Sequence, residues 1–505
     1  MTTLLSKDQY AVIAADLTFP VKAFIDGQYQ PSKTGKTLET INPATGEVLA
    51  NISACDASDV DYAVDVARKA FDVGEWSRKH PSERKTVLLK LAQLIEDNQN
   101  ELAVLESLES GKPISECQLT DLPETISTIR WHAEATDKLY DQMSPSNEEG
   151  IGLIVREPLG VVGCVLPWNF PLMMLAWKMG PALAGGNSLI VKPAEQTSMT
   201  ALYIGELANQ AGIPAGVLNI LPGMGPDVGE PMGRHNGIDA ISFTGSTEVG
   251  RLFLQFSALS NMKKIVLECG GKNPAVVLSD ADNLESVAEH VVYAALWNMG
   301  QNCTANSRLI VHKDVSEELL QLVTVKLADW KTGDPMDPAN QLGAIISREQ
   351  YDKILGYIDS AKKEGGKLIH GGNAIEAGKG LFIEPTLFAN VTADMTIAQE
   401  EIFGPVFAMM VVDSDAAAIK LANETCYGLQ ASLFTSNVTK AHKYGRALQA
   451  GTVSVNCYAE GDITTPFGGY KLSGFGGRDN SLMAHDQYTE VKTIWIDIST
   501  DISDQ

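Results

Sequence analysis

Two periods of apolar residues alternate along this chain. Between Val87 and Ile95 apolar side chains fall at Val87, Leu88, Leu91, Leu94 and Ile95 with polar residues between them, the spacing of one helix face. Ser82 precedes that run as a start signal, and Gly111-Lys112-Pro113 ends it. A second helix is predicted near 123–140, so the first 150 residues read as helical after a short start. From Gly160 the pattern changes to short apolar runs separated by helical ones. Strands are predicted at 161–166, 188–191, 218–221, 240–243 and 264–268, with helices that include 172–183 and 200–211. A second series follows Gly270-Gly271. Its strands are predicted at 275–278, 308–311, 407–412 and 452–456, its helices at 284–298, 317–329, 348–364 and 415–424, and a closing strand at 488–498. Short strands alternating with helices of this length build parallel sheets from βαβ units.

One stretch imitates a membrane span. Residues 158–177 are twenty positions without a charge, which is transmembrane length. Gly160, Gly163, Pro167, Asn169 and Pro171 interrupt it, so it reads as a buried strand, a turn and a buried helix.

Composition adds bounds. The chain has 505 residues, 44% apolar and 20% charged, enough for about three globular units and a large core without disulfides. The net charge is −24, which argues against nucleic-acid or anionic-membrane partners. The seven cysteines are widely spaced with no C-x-x-C, and the eight histidines form no H-x-x-x-H. A zinc site or disulfide framework is not expected, and a reducing cytoplasm suits the pattern. The first twenty residues lack the basic-then-apolar order of a signal peptide.

Five local patterns could carry chemistry. Gly223-Met224-Gly225-Pro226-Asp227-Val228-Gly229 is either a nucleotide turn or an ordinary glycine-rich one. Gly245-Ser246-Thr247 follows a strand and opens a helix; it is either a pyrophosphate seat or a plain N-cap. Cys303, in Gly300-Gln301-Asn302-Cys303-Thr304, is either a nucleophile activated by backbone dipoles or a small buried hydrophobe. Glu268, at a strand end before Cys269-Gly270-Gly271, is either a general base or a surface carboxylate. Pro167-Trp168-Asn169-Phe170-Pro171 is a rigid turn at the carboxyl end of a parallel strand, where ligands bind; its Asn either donates to an oxyanion or holds the turn.

Taken in order, PWNFP at Pro167, KPAEQT at Lys192, FTGSTEVG at Phe243, LECGGKNP at Leu267, GQNCTANSR at Gly300, EEIFGPV at Glu400 and PFGGYKLSG at Pro466 resemble the NAD(P)-dependent aldehyde dehydrogenase superfamily over nearly the whole chain. The resemblance implies an α/β aldehyde dehydrogenase fold. Its parts are a Rossmann-like NAD-binding domain (1–140 and 160–269), an α/β catalytic domain (270–479) and a small β oligomerisation arm (141–159 and 480–505). It implies Cys303 as nucleophile, Glu268 as base, and Asn169 with the Cys303 N–H as oxyanion donors. NAD would be held by Trp168, Lys192, Glu195, Gly245, Ser246, Glu401 and Phe403, with no metal. Glu195 favours NAD over NADP, and Glu268 favours hydrolysis over acyl transfer to coenzyme A.

The segment 456–467 is similar to the bacterial aminoaldehyde branch. It implies a substrate tunnel offering Asp121, Glu124, Met174, Trp177, Asp462 and Phe467, suited to an ω-aminoaldehyde from polyamine breakdown. A semialdehyde dehydrogenase is the alternative. The partner is the small aldehyde, with no nucleic acid or membrane, and the chain is expected to form a homodimer or homotetramer. Two departures stand out. The run Lys471–Arg478 is one residue longer than the familiar K-x-S-G-x-G-R, and Leu482 takes the place of an acidic residue beyond it.

Overall fold

The computed structural model describes residues 4–499. Two large sheets carry the chain. The first has eight strands in the order Gln28–Gln30, Ala23–Ile25, Leu218–Ile220, Ser188–Lys192, Val161–Val165, Ala240–Gly245, Lys264–Cys269 and Gly474–Phe475. Its five central strands are parallel. The chain runs from Val161–Val165 outward through Ser188–Lys192 to one side, then returns to place Ala240–Gly245 on the other. The order therefore reverses at Val161–Val165, and a crevice opens at the carboxyl ends of the strands there. These strands are buried on both faces, as their unbroken apolar runs require.

The second sheet has seven strands: Lys367–His370, Thr386–Ala389, Val406–Val412, Arg308–His312, Pro274–Val277, Gln430–Phe434 and Thr452–Val455. All pairings are parallel except Lys367–His370 with Thr386–Ala389. Separate apolar cores pack around the two sheets. A three-stranded antiparallel arm joins Gln142–Ser144, Gly150–Pro158 and Thr489–Asp497.

The amino-terminal region departs from the helical expectation. Residues 23–53 hold four short strands, two on the edge of the first sheet and two, Thr37–Asn42 and Glu47–Ser53, in a hairpin of their own. Their half-buried alternation is too short to outweigh the helical signals around them. The periodic run after Ser82 is also two helices, Pro81–Asp97 and Gln99–Ser110, broken at Asn98 and capped at Gly111 with φ +77°. The uncharged stretch resolves into the strand Val161–Val165, a turn, and the buried helix Pro171–Ala184. Among the described residues, no helix is long and apolar enough to cross a membrane.

Candidate active site

Three segments at the carboxyl ends of the first sheet's parallel strands face segments that precede strands of the second sheet. Together they line one chamber. Pro167, Trp168, Asn169 and Phe170 follow Val161–Val165; Gly245 and Ser246 follow the next strand; Glu268, Cys269 and Gly270 end the third. Asn302 and Cys303 close it from the opposite side, with Glu401 and Phe403. Met174, Trp177 and Phe467 line it as well.

Strained backbone presents the cysteine. Asn298, Met299 and Gly300 are consecutive residues at φ +52°, +56° and +65°. A side chain on Gly300 would drive into the Gly404 carbonyl, so only glycine lets this loop pack on the turn at Phe403, itself at φ +57°. Asn273 Nδ2 fixes the loop by donating to the Cys303 carbonyl (2.7 Å) and the Ala305 carbonyl (3.2 Å). The expected activation by backbone dipoles is not the dominant effect. Burial and the carboxylates Glu460, Glu401 and Glu268 push the Cys303 thiol well above its ordinary range; its own backbone N–H pulls weakly the other way. The thiol therefore needs a base.

Glu268 is 4% exposed, and neither carboxylate oxygen has a hydrogen bond of good geometry. Burial first, and then Asp479, raise its pKa well above the carboxylate range; Lys178 and Arg478 oppose the shift. A surface carboxylate is excluded. Behind it, Lys178 and Asp479 form a fully buried ion pair at 3.5 Å. The acidic group beyond Arg478 is thus Asp479, whereas Leu482 is 50% exposed. The longer run between Lys471 and Arg478 lays Gly474–Phe475 antiparallel against Leu267 and Glu268, then turns at Gly476 with φ +85°.

Asn169 is anchored on both sides. Its Nδ2 donates to the Gln301 carbonyl at 3.0 Å, and its own carbonyl accepts from Asn298 Nδ2 (2.9 Å) and Lys112 Nζ (3.2 Å). One amide hydrogen is spent on the cysteine loop, and the other remains for the chamber.

The cofactor candidates split into two groups. Trp168, Gly245, Ser246, Glu401 and Phe403 line the chamber. The Trp168 and Phe403 rings meet edge to face at 5.2 Å. Ser246 caps the helix Thr247–Ala258, its Oγ accepting from Val249 N at 3.3 Å. Glu401 accepts from Gly271 N at 2.9 Å, and burial raises its pKa to about 7. Lys192 and Glu195 stand at the carboxyl end of the adjacent strand Ser188–Lys192, paired at 3.2 Å. Glu195 lines a second groove with Met224 and Arg348. Side chains added at Gly225 would meet nothing within 4 Å, and at Gly229 nothing nearer than 3.8 Å. A path from Glu401 past a capped helix start to Glu195, with open space beside its glycines, fits an extended dinucleotide. Among the described residues, no cluster of three or more His, Cys, Asp or Glu could hold a metal ion.

A second, outer chamber opens beside the first. Met173, Trp177 and Glu460 line both. Tyr293, Trp297, Tyr458, Glu124 and Asp462 complete the outer wall. Asp121 does not reach it. It is fully buried and ion-paired with Lys112, because the turn Gly111-Lys112-Pro113 folds back over the helix that carries it. Asp462 lies at the exposed rim, where its Oδ1 accepts from Thr464 N at 2.8 Å in its own turn. Glu460 was missed by motif reading. Its Oε1 accepts from Thr304 Oγ1 and from Tyr458 OH (3.3 Å), and burial raises its pKa. Its only signal in the sequence is a carboxylate between apolar or small neighbours in a strand-end loop. Lys178 had a clearer one, a lone charge in an otherwise apolar helix.

The aldehyde dehydrogenase family profile matches residues 29–494. The chain is 56% identical to the aminoacetaldehyde dehydrogenase of Pseudomonas aeruginosa, covering 99% of this chain and 100% of that protein. It superposes on indole-3-acetaldehyde dehydrogenase in complex with NAD+ with a TM-score of 0.97 at 45% identity, over 98% of this chain and 100% of the other. The γ-glutamyl-γ-aminobutyraldehyde dehydrogenase of Burkholderia cenocepacia gives 0.96 at 44% identity over the same shares.

Proposed function

The chain belongs to the aldehyde dehydrogenase family, and from that premise we propose that its substrate is a short ω-aminoaldehyde whose ammonium is read by Glu460. The enzyme oxidises an aldehyde to the carboxylic acid with NAD. The observation that carries the substrate reading is the shared wall of the two chambers, where Glu460 stands with Trp177 and accepts from Tyr458 OH and from Thr304, the residue after Cys303. Such a wall attracts a cation through charge and ring faces. Among the described lining residues of both chambers, Lys353 is the only cation, so an anionic semialdehyde has little to bind it.

In the proposed mechanism Glu268 takes the Cys303 proton. The sulfur bonds to the aldehyde carbon, and the carbonyl pair moves onto oxygen, where Asn169 and the Cys303 N–H donate. Bound NAD supplies the hydride acceptor for conversion of this adduct to a thioester. Glu268 then removes a proton from water, which attacks the thioester and releases the acid and the thiol. Between the two steps Glu268 returns the thiol proton to solvent, so that it can act on water as a carboxylate. Glu401 and Glu195 would hold the two riboses, with Trp168, Phe403, Lys192, Gly245 and Ser246 completing the cofactor's seat. The Glu195 carboxylate disfavours a 2′-phosphate, so NAD is preferred over NADP.

The arm leaves Met143, Val491 and Trp495 at 69%, 58% and 62% exposure. Its partner is a second copy, in a homodimer or homotetramer. Free cysteines and the acidic surface suit a cytoplasmic enzyme. The test of the substrate is kcat/KM for aminoacetaldehyde and 4-aminobutyraldehyde against succinate semialdehyde and propionaldehyde. A preference for the anionic or the neutral aldehyde overturns the reading.

A further inference from the structure

Burial raises the pKa of the Cys303 thiol most, and three carboxylates add to it: Glu460 first, then Glu401 and Glu268. An enzyme that needs a thiolate thus keeps its sulfur in a negative potential. Glu268 and Glu401 have tasks in the proposed mechanism. Glu460 has none in hydrolysis, yet it is the carboxylate built closest to the nucleophile in the chain's hydrogen-bond network. Thr304 Oγ1, on the residue after Cys303, donates to its Oε1, and Tyr458 OH donates to the same atom at 3.3 Å. Asn302 Nδ2, on the residue before Cys303, holds Tyr458 OH at 2.9 Å. The carboxylate therefore belongs to the cysteine loop as firmly as to its own. It also lines both chambers, so a substrate entering from the outer one passes it to reach the sulfur.

The other charges nearby do not offset it. Glu124 faces Glu460 from the helix Leu122–Ala135, and Asp479 lines the inner chamber. Both are acidic. Lys353, on the helix Arg348–Lys363, shares the inner chamber with Gln350 and Glu401. Among the described residues no lysine or arginine forms an ion pair with Glu460, so the cation that would offset it arrives with the substrate.

We propose that Glu460 makes attack by Cys303 conditional on substrate charge: an ammonium close to the aldehyde carbon, seated against Glu460, cancels that carboxylate's potential at the sulfur, so a cationic aldehyde promotes the attack upon itself. The identity of the cation rests on the aminoaldehyde reading above; the effect of Glu460 on the sulfur does not. The step is a proton transfer and an addition. The thiol proton goes to Glu268, the S–C bond forms, and the carbonyl pair moves onto oxygen; nothing is oxidised until hydride leaves. A unit charge a few ångströms away at protein-like dielectric changes ionisation by about ten- to a hundred-fold.

The experiment compares the full-length enzyme with Glu460→Gln, which keeps an acceptor for both hydroxyls, and Glu460→Asp, which keeps the charge. The first readout is the pH dependence of Cys303 alkylation by neutral iodoacetamide, followed by peptide mass spectrometry. Glu460→Gln is expected to move the midpoint down and to speed alkylation at pH 7 about ten-fold, while Glu460→Asp restores the wild-type profile. The second is the pre-steady-state NADH burst with aminoacetaldehyde and with propionaldehyde, which has the same number of heavy atoms. Wild type is expected to burst faster with the amine. In Glu460→Gln the amine slows and propionaldehyde quickens, beyond any change in KM. Identical alkylation profiles in all three proteins overturn the proposal whatever the substrate. A shifted profile with no wild-type preference for the amine overturns the aminoaldehyde reading and leaves the action of Glu460 standing.

Discussion

The two chambers that share Glu460 are built on opposite terms. The inner one is closed and strained, and its polar groups are incompletely paired. Glu268 lacks hydrogen bonds on both oxygens, and three successive residues before Cys303 hold left-handed backbone. The outer one is more open and ring-lined, and its rim carboxylate Asp462 is satisfied by its own turn. Unpaired buried groups and strained backbone cost stability and persist where chemistry uses them. The outer wall carries less of it, at Trp177 Nε1 and at Asn480, whose Oδ1 is unpaired and whose φ is +59°, which fits a role in selection. The inner chamber is where substitution should remove the reaction, and the outer one where it should only redirect it.

The largest effect that would break this contrast is at Cys303. Cys303→Ala is expected to abolish turnover while NAD still binds, measured by NADH formation and by calorimetric titration. Residual turnover within ten-fold of wild type would remove the nucleophile from the account. Asn169→Ala comes next. Losing one oxyanion donor should lower kcat by about 10²–10³ with little change in KM for NAD. Glu268 gives a pH signature. Because its pKa is raised, more of it is protonated near neutrality, and only the carboxylate accepts a proton. The rate of thioester hydrolysis should therefore rise with pH through an inflection above the ordinary carboxylate range, and Glu268→Gln should flatten that limb. An inflection at an ordinary carboxylate pKa would contradict the observed burial. Asp462→Ala is the smallest: less than about two-fold in kcat/KM for an aminoaldehyde. A larger loss would mean the rim selects more than Glu460 does.

The same contrast governs how much the sequence revealed. The inner chamber is assembled from short turns next to sheet strands, so each motif stays local: Pro167–Phe170, Gly245–Ser246, Glu268–Gly270 and Asn302–Cys303 all face one space. Strand and helix positions after Gly160 were legible for the same reason, since buried parallel strands read as unbroken apolar runs. The outer chamber joins side chains from distant helices and a loop, and no spacing announces which of them converge. Asp121 is the clear example. Its place on the correct helix suggested the tunnel, but pairing with Lys112 turns it into the core. Asp479 directly follows Arg478 but has no periodic or motif signal of its own, while burial beside Lys178 picks it out in three dimensions. The hairpin at 37–53 was lost because its strands are short and half-exposed.

The covalent intermediate tests the central claim most directly. Glu268→Gln is mixed with NAD and aminoacetaldehyde, quenched within the first turnover, and digested for mass spectrometry. The account predicts about one NADH per active site, then a stall, with the acyl group on the peptide containing Cys303. Sustained turnover with Cys303 unmodified would contradict it.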